Sequence, residues 1–101
     1  MHFSLKLKTI GNLITLMRKA GYLFLEEKEG EYSFIRPLER SGYPRFHIYL
    51  KAKPELNEID FNLHLDQKRP VYKNTKAHSG EYDSEIVKKE KERIEKALTE
   101  L

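Results

Sequence analysis

Apolar and polar residues alternate near the start of the chain. Phe3, Leu5 and Leu7 are interleaved with Ser4, Lys6 and Lys8. A period of two predicts a short amphipathic strand. The period then changes. Ile10, Leu13, Ile14 and Met17 fall at i, i+3, i+4 and i+7, the spacing of one helix face. Thr9 is the expected cap, Arg18 and Lys19 suit the last turn and Gly21 suits the stop, so a helix is expected over 10–20. Residues 22–27 and 32–36 read as two strands around the turn Lys28-Glu29-Gly30-Glu31, a hairpin. Pro37 closes it, and 38–44, with Gly42 and Pro44, reads as a loop.

Two strands are clearest, over 45–52 and 59–66. Phe46, Ile48 and Leu50 lie on one face of the first; Ile59, Phe61, Leu63 and Leu65 do so on the second. The six residues between them include Pro54 and suit an antiparallel connection. Pairing Ala52 with Ile59 sets the register. Arg45 then faces Asp66, His47 faces His64, Tyr49 faces Asn62 and Lys51 faces Asp60. Phe46 meets Leu65, Ile48 meets Leu63 and Leu50 meets Phe61 on the opposite face. Opposed charges and apolar pairs each favour this register by about 0.2–1 kcal/mol. A slip of one residue would scatter them all.

Residues 67–82 form a long connector, a length that points to function or mobility. Asp83 or Ser84 can cap a last helix, whose apolar stripe is Ile86, Val87, Ile94, Ala97, Leu98 and Leu101. The run Lys88 to Arg93 is wholly charged, so the middle turns are expected to be exposed. Glu85–Lys89 and Glu92–Lys96 add modest support. The order is β-α-β-β-β-β-α. It implies an α+β two-layer sandwich: a mostly antiparallel sheet, two helices on one face and an open polar face.

Length and composition narrow the class. A chain of 101 residues makes a single domain over 1–101. Five Phe and six Tyr argue against disorder despite the 35% charged residues. There is no cysteine, hence neither a disulfide framework nor a thiolate metal site. No apolar run approaches the roughly 18 residues of a membrane span, and MHFSLKLK lacks the apolar core of a signal peptide. A cytoplasmic protein without a membrane association is expected. The net charge is +3, and the stretch 67–78 holds Lys68, Arg69, Lys73 and Lys76 with no acid. Local basicity of this kind serves phosphate contacts or solvates a loop.

The polar face would carry Arg45, His47, Tyr49, Lys51, Asp60, Asn62, His64 and Asp66. His47 and His64, directly opposed, are the candidate catalytic residues, an acid and a base on a phosphodiester. The same pair could ligate a metal, with His78 or Asp66 as third ligand. The plainest alternative is a polar sheet face that happens to hold two histidines. No HExxH, CxxC or His-x-His motif is present, so no metal site and no cofactor is assigned. The candidate nucleic-acid-binding residues are Arg45, Lys51, Lys68, Arg69, Lys73 and Lys76 for phosphates, with Tyr49 and Tyr72 to stack on bases. The scattered glycines make no phosphate-binding loop.

The opening LITLMRKAGYLFL followed by FHIY resembles the HicA-type toxins. That resemblance implies a double-stranded-RNA-binding-like fold of a helix, three strands and a helix, which cleaves mRNA with a strand histidine. The matching position is His47, followed by Tyr49. Arg45-Phe46 stands where that family has Gly-Ser, and a further strand and the long connector depart from its pattern. The second half, FNLHLDQKRP and HSGEYDSEIVKKEKERI, resembles small microbial proteins to which no activity attaches. The expectation is a binding module for RNA or another phosphate-rich partner, acting through the polar face and loop 67–78. The alternatives are a histidine-dependent ribonuclease and a protein–protein interaction domain using a sheet edge or the charged last helix. Whether the chain is an enzyme stays open at this point.

Overall fold

The computed structural model describes residues 1–67, 80–81 and 84–100. Strand β1 (His2–Lys6) leads into helix α1 (Leu13–Lys19). Strands β2 (Leu23–Lys28), β3 (Glu31–Pro37), β4 (Arg45–Lys53) and β5 (Glu58–Asp66) follow. A two-residue strand β6 (Gly80–Glu81) and helix α2 (Glu85–Thr99) complete the order. The sheet order is β1-β5-β4-β3-β2, antiparallel at every pairing, and β6 pairs with β5 beyond the end of β1. Both helices lie on one face, so the architecture is the α+β sandwich that the pattern implied.

The β4–β5 register is the one read from the sequence, from Arg45 opposite Asp66 through Ala52 opposite Ile59. The β2–β3 hairpin turns on Glu29 and Gly30, both at positive φ, 53° and 83°. Two positive φ values make the mirror-image turn that matches strand twist, and glycine adopts the second without strain.

The first helix starts later than the periodicity suggested. Asn12, not Thr9, is the cap, and its side chain accepts a hydrogen bond from the Thr15 amide at 3.0 Å. Gly11 at φ +61° stands before it, and a left-handed residue cannot continue a right-handed helix. Ile10 therefore packs against the core from the connecting segment. The end agrees: the Tyr22 amide donates to the Met17 carbonyl and the Gly21 amide to the Arg18 carbonyl, closing a Schellman motif on Gly21.

The core lies between sheet and helices. It comprises Leu13, Leu16, Met17 and Tyr22, the inward residues of β3 to β5, and Val87, Ile94 and Leu98 of α2. Two expectations for α2 fail here. Ile86 is 43% exposed, and Glu90, inside the charged run, is only 4% exposed. Tyr22 Oη donates to Glu90 Oε2 at 2.7 Å, and Arg93 donates to both Glu90 oxygens at 2.8 Å. Arg93 also donates to the Ala20 carbonyl at 2.6 Å, and Arg36 reaches Glu90 from β3 at 3.4 Å. A charge is tolerated in the core when it is paired and hydrogen-bonded, as this one is. Burial, then the Glu90 carboxylate, pushes the Tyr22 hydroxyl far above its ordinary pKa, so it remains a donor.

Candidate functional site

Alternation on β4 and β5 sends Arg45, His47, Tyr49, Lys51, Asp60, Asn62, His64 and Asp66 to the face away from the helices. The structure gathers three of them around the carboxylate of a fourth, Asp66. Asp66 Oδ2 accepts from Arg45 Nε at 3.2 Å and lies 3.3 Å from His47 Nδ1. Asp66 Oδ1 lies 3.0 Å from His64 Nε2. The two imidazole centroids are 5.0 Å apart, and Tyr49 stacks on His47 at 4.5 Å. Burial opposes ionisation of Asp66, but hydrogen bonds from His47, His64 and Arg45 outweigh it and hold the carboxyl well below the usual range.

Ser33 completes the cluster. It lies on β3 opposite Tyr49, is 3% exposed, and its Oγ is 3.1 Å from His47 Nε2. Both ring nitrogens of His47 are thus engaged. His64 is itself 9% exposed, so this part of the polar face is more enclosed than an open sheet face would be. Ser33 had no signal in the sequence, because its proximity to His47 depends on the β3–β4 register.

The other candidates divide. Arg45 and Tyr49 sit in the cluster, and Arg45 is committed to Asp66 and to the Tyr43 ring, 4.6 Å away. Lys51 is exposed with Glu31 and Asp60 as its cross-strand neighbours. Lys51 stands opposite Asp60 as the register implied, but the Asp60 carboxylate takes other partners. Asp60 instead accepts from Ser4 Oγ at 2.6 Å and meets Lys53 Nζ at 2.9 Å. Lys53, two residues along the same face, reaches that carboxylate diagonally across the strands. Lys68, Arg69, Tyr72, Lys73, Lys76 and His78 lie outside the described residues.

A second feature was not foreseen. Between the β1–α1 connection, α1 and the end of α2 is a cavity of about 660 Å³. Lys6, Lys8 and Lys19 line it, together with Thr9 and Thr15, over a floor that includes Leu16; among the described residues that line it none is acidic. Lys6 and Lys8 come from the outward positions of the first alternating segment. Lys19 joins them only because α1 folds back, so no spacing in the sequence connects the three.

Among the described residues no helix is long and apolar enough to cross a membrane. No protein-family model, no curated protein and no solved structure matches this chain.

Proposed function

We propose that the protein is a binding module for a phosphate-rich partner, RNA foremost, and that Lys6, Lys8 and Lys19 form its anion-binding site. The observation that carries this reading is the cavity whose described lining residues include three cations and no acid. Lysines that line a concave surface raise the local positive potential and meet phosphates as point charges. Threonine hydroxyls beside them supply donors. The polar sheet face serves this role less well: Arg45 is neutralised by Asp66, and Lys51 stands between two acids.

Anisotropy of a labelled mixed-sequence RNA, followed from low to high salt, tests the reading. Each phosphate contact on a single strand contributes about −0.7 to the slope of log K against log salt, so three contribute about −2. Replacing Lys6, Lys8 and Lys19 together by alanine is expected to flatten the slope by that amount. An unchanged slope in the triple variant would overturn it.

The histidine-dependent ribonuclease is a second reading, favoured by the pairing of His47 with His64. General acid–base work needs ring nitrogens turned toward the substrate. His47 Nδ1 faces Asp66, His47 Nε2 faces Ser33 and His64 Nε2 faces Asp66. The histidine cluster therefore converges on itself, which places this reading second. RNA cleavage that is lost in His47→Ala and in His64→Ala would restore it.

A further inference from the structure

The convergence of ring nitrogens on a carboxylate has its own chemistry. One potential ligand atom from each of His47, His64 and Asp66 lies within 4.8 Å of the other two. The two histidine-to-carboxylate separations are 3.3 and 3.0 Å. With metal–ligand bonds of about 2.0–2.1 Å, neighbouring ligand atoms in a tetrahedral zinc site stand about 3.3 Å apart. In an octahedral site with bonds of about 2.1 Å the edge is about 3.0 Å. Each histidine-to-carboxylate separation, one to Oδ2 and one to Oδ1, matches such an edge, and the remaining edge must shorten from within 4.8 Å when an ion is held.

The surroundings fit as well. A metal-bound imidazole characteristically makes a hydrogen bond through its other nitrogen, which sets the tautomer and aims the lone pair. His47 Nε2 has that partner in Ser33 Oγ at 3.1 Å; in the tautomer where Nε2 donates to Ser33, the Nδ1 lone pair is available to an ion. Arg45 Nε holds the Asp66 carboxylate at 3.2 Å from outside the triangle. The three ligands stand on adjacent, fully paired strands rather than on loops, and their side chains are only 12%, 11% and 22% exposed. Rigid elements and locked rotamers are what a preorganised site requires.

We propose that His47, His64 and Asp66 bind one divalent first-row transition ion, with Zn²⁺ the expected occupant. Two imidazoles and one carboxylate make a borderline donor set that suits such ions rather than Ca²⁺ or Mg²⁺, which take mostly oxygen ligands. Three protein ligands leave at least one coordination position for water or a substrate atom, the arrangement of a catalytic rather than a structural zinc site.

This site is distinct from the lysine cavity. Lys6 is opposite Glu58 at one end of β5, and Asp66 closes the other end. At about 3.3 Å per residue, the eight steps between them span about 26 Å. Either site can fail without the other.

Calorimetric titration of the full chain, stripped of metal, with zinc chloride tests the proposal. One ion per chain is expected. His47→Ala and His64→Ala are each expected to weaken binding more than 100-fold, and Ser33→Ala, which removes only the partner of His47 Nε2, by about 10-fold. Ring-proton spectra of the unsubstituted protein give a readout independent of variant folding: Zn²⁺ should shift the His47 and His64 resonances together at one equivalent. Absence of saturable binding would overturn the proposal. So would a response confined to His2 or His78, or affinity unchanged by Ser33→Ala and His47→Ala alike.

Discussion

Single residues decide where this small domain is polar inside. Glu90 is the one buried acid among the described core positions, and its two oxygens hold Tyr22 and Arg93 while meeting Arg36. Glu90→Ala leaves the Tyr22 hydroxyl buried without its acceptor, at an expected cost of about 3 kcal/mol, readable by chemical denaturation. Asp60 and Lys53 act at the surface. The Ser4 hydroxyl and then Lys53 lower the Asp60 pKa, and the Asp60 hydrogen bond raises that of Lys53. A depressed carboxylate contributes stability above its unfolded value of about 3.9 and loses it as pH falls through the folded value. A raised ammonium contributes below about 10.4 and loses it as pH rises through its folded value. Asp60→Asn is therefore expected to lower stability at neutral pH and to shallow both the acid and the alkaline limbs of the stability profile. Unfolding midpoints across that range check it. None of these roles was legible from residue type: Glu90 sits among charged neighbours that look alike until α2 is docked.

Elements were more legible than residues. The β4–β5 register could be read because both faces carry information, with charges and apolar groups matched pair by pair. The start of α1 could not, because Ile10 obeys the helical period while Gly11 takes a left-handed conformation that ends it. The edge strand β2 exposes Leu23, Phe24 and Leu25, at 58%, 41% and 45%. Such an edge invites pairing with another chain. Here a bulge between Phe24 and Glu26 and the charges of Glu26, Glu27 and Lys28 interrupt it. Replacing Glu26 and Glu27 by valine is expected to produce concentration-dependent association, visible in sedimentation velocity, while the unsubstituted edge stays unpaired at the same concentration.

At the scale of the whole molecule, the sandwich follows from two amphipathic helices needing one apolar sheet face. The candidate sites follow less directly. His47, His64 and Asp66 share a face because strand residues alternate, and that much could be read in advance. Ser33 enters only through a third strand, and the three lysines meet only through the path of α1. The result is two chemically different surfaces at opposite ends of β5: an enclosed carboxylate–imidazole cluster and an open cationic cavity. Their separation is the central claim. An amide and histidine NMR titration of the full chain, first with zinc chloride and then with a short RNA, tests it directly. Zn²⁺ is expected to move His47 and His64 while leaving Lys6, Lys8 and Lys19 in place, and RNA to move the three lysines while leaving the histidines in place. Shifts from both additions falling on the same residues, or RNA shifts confined to Arg45, Tyr49 and Lys51, would contradict it.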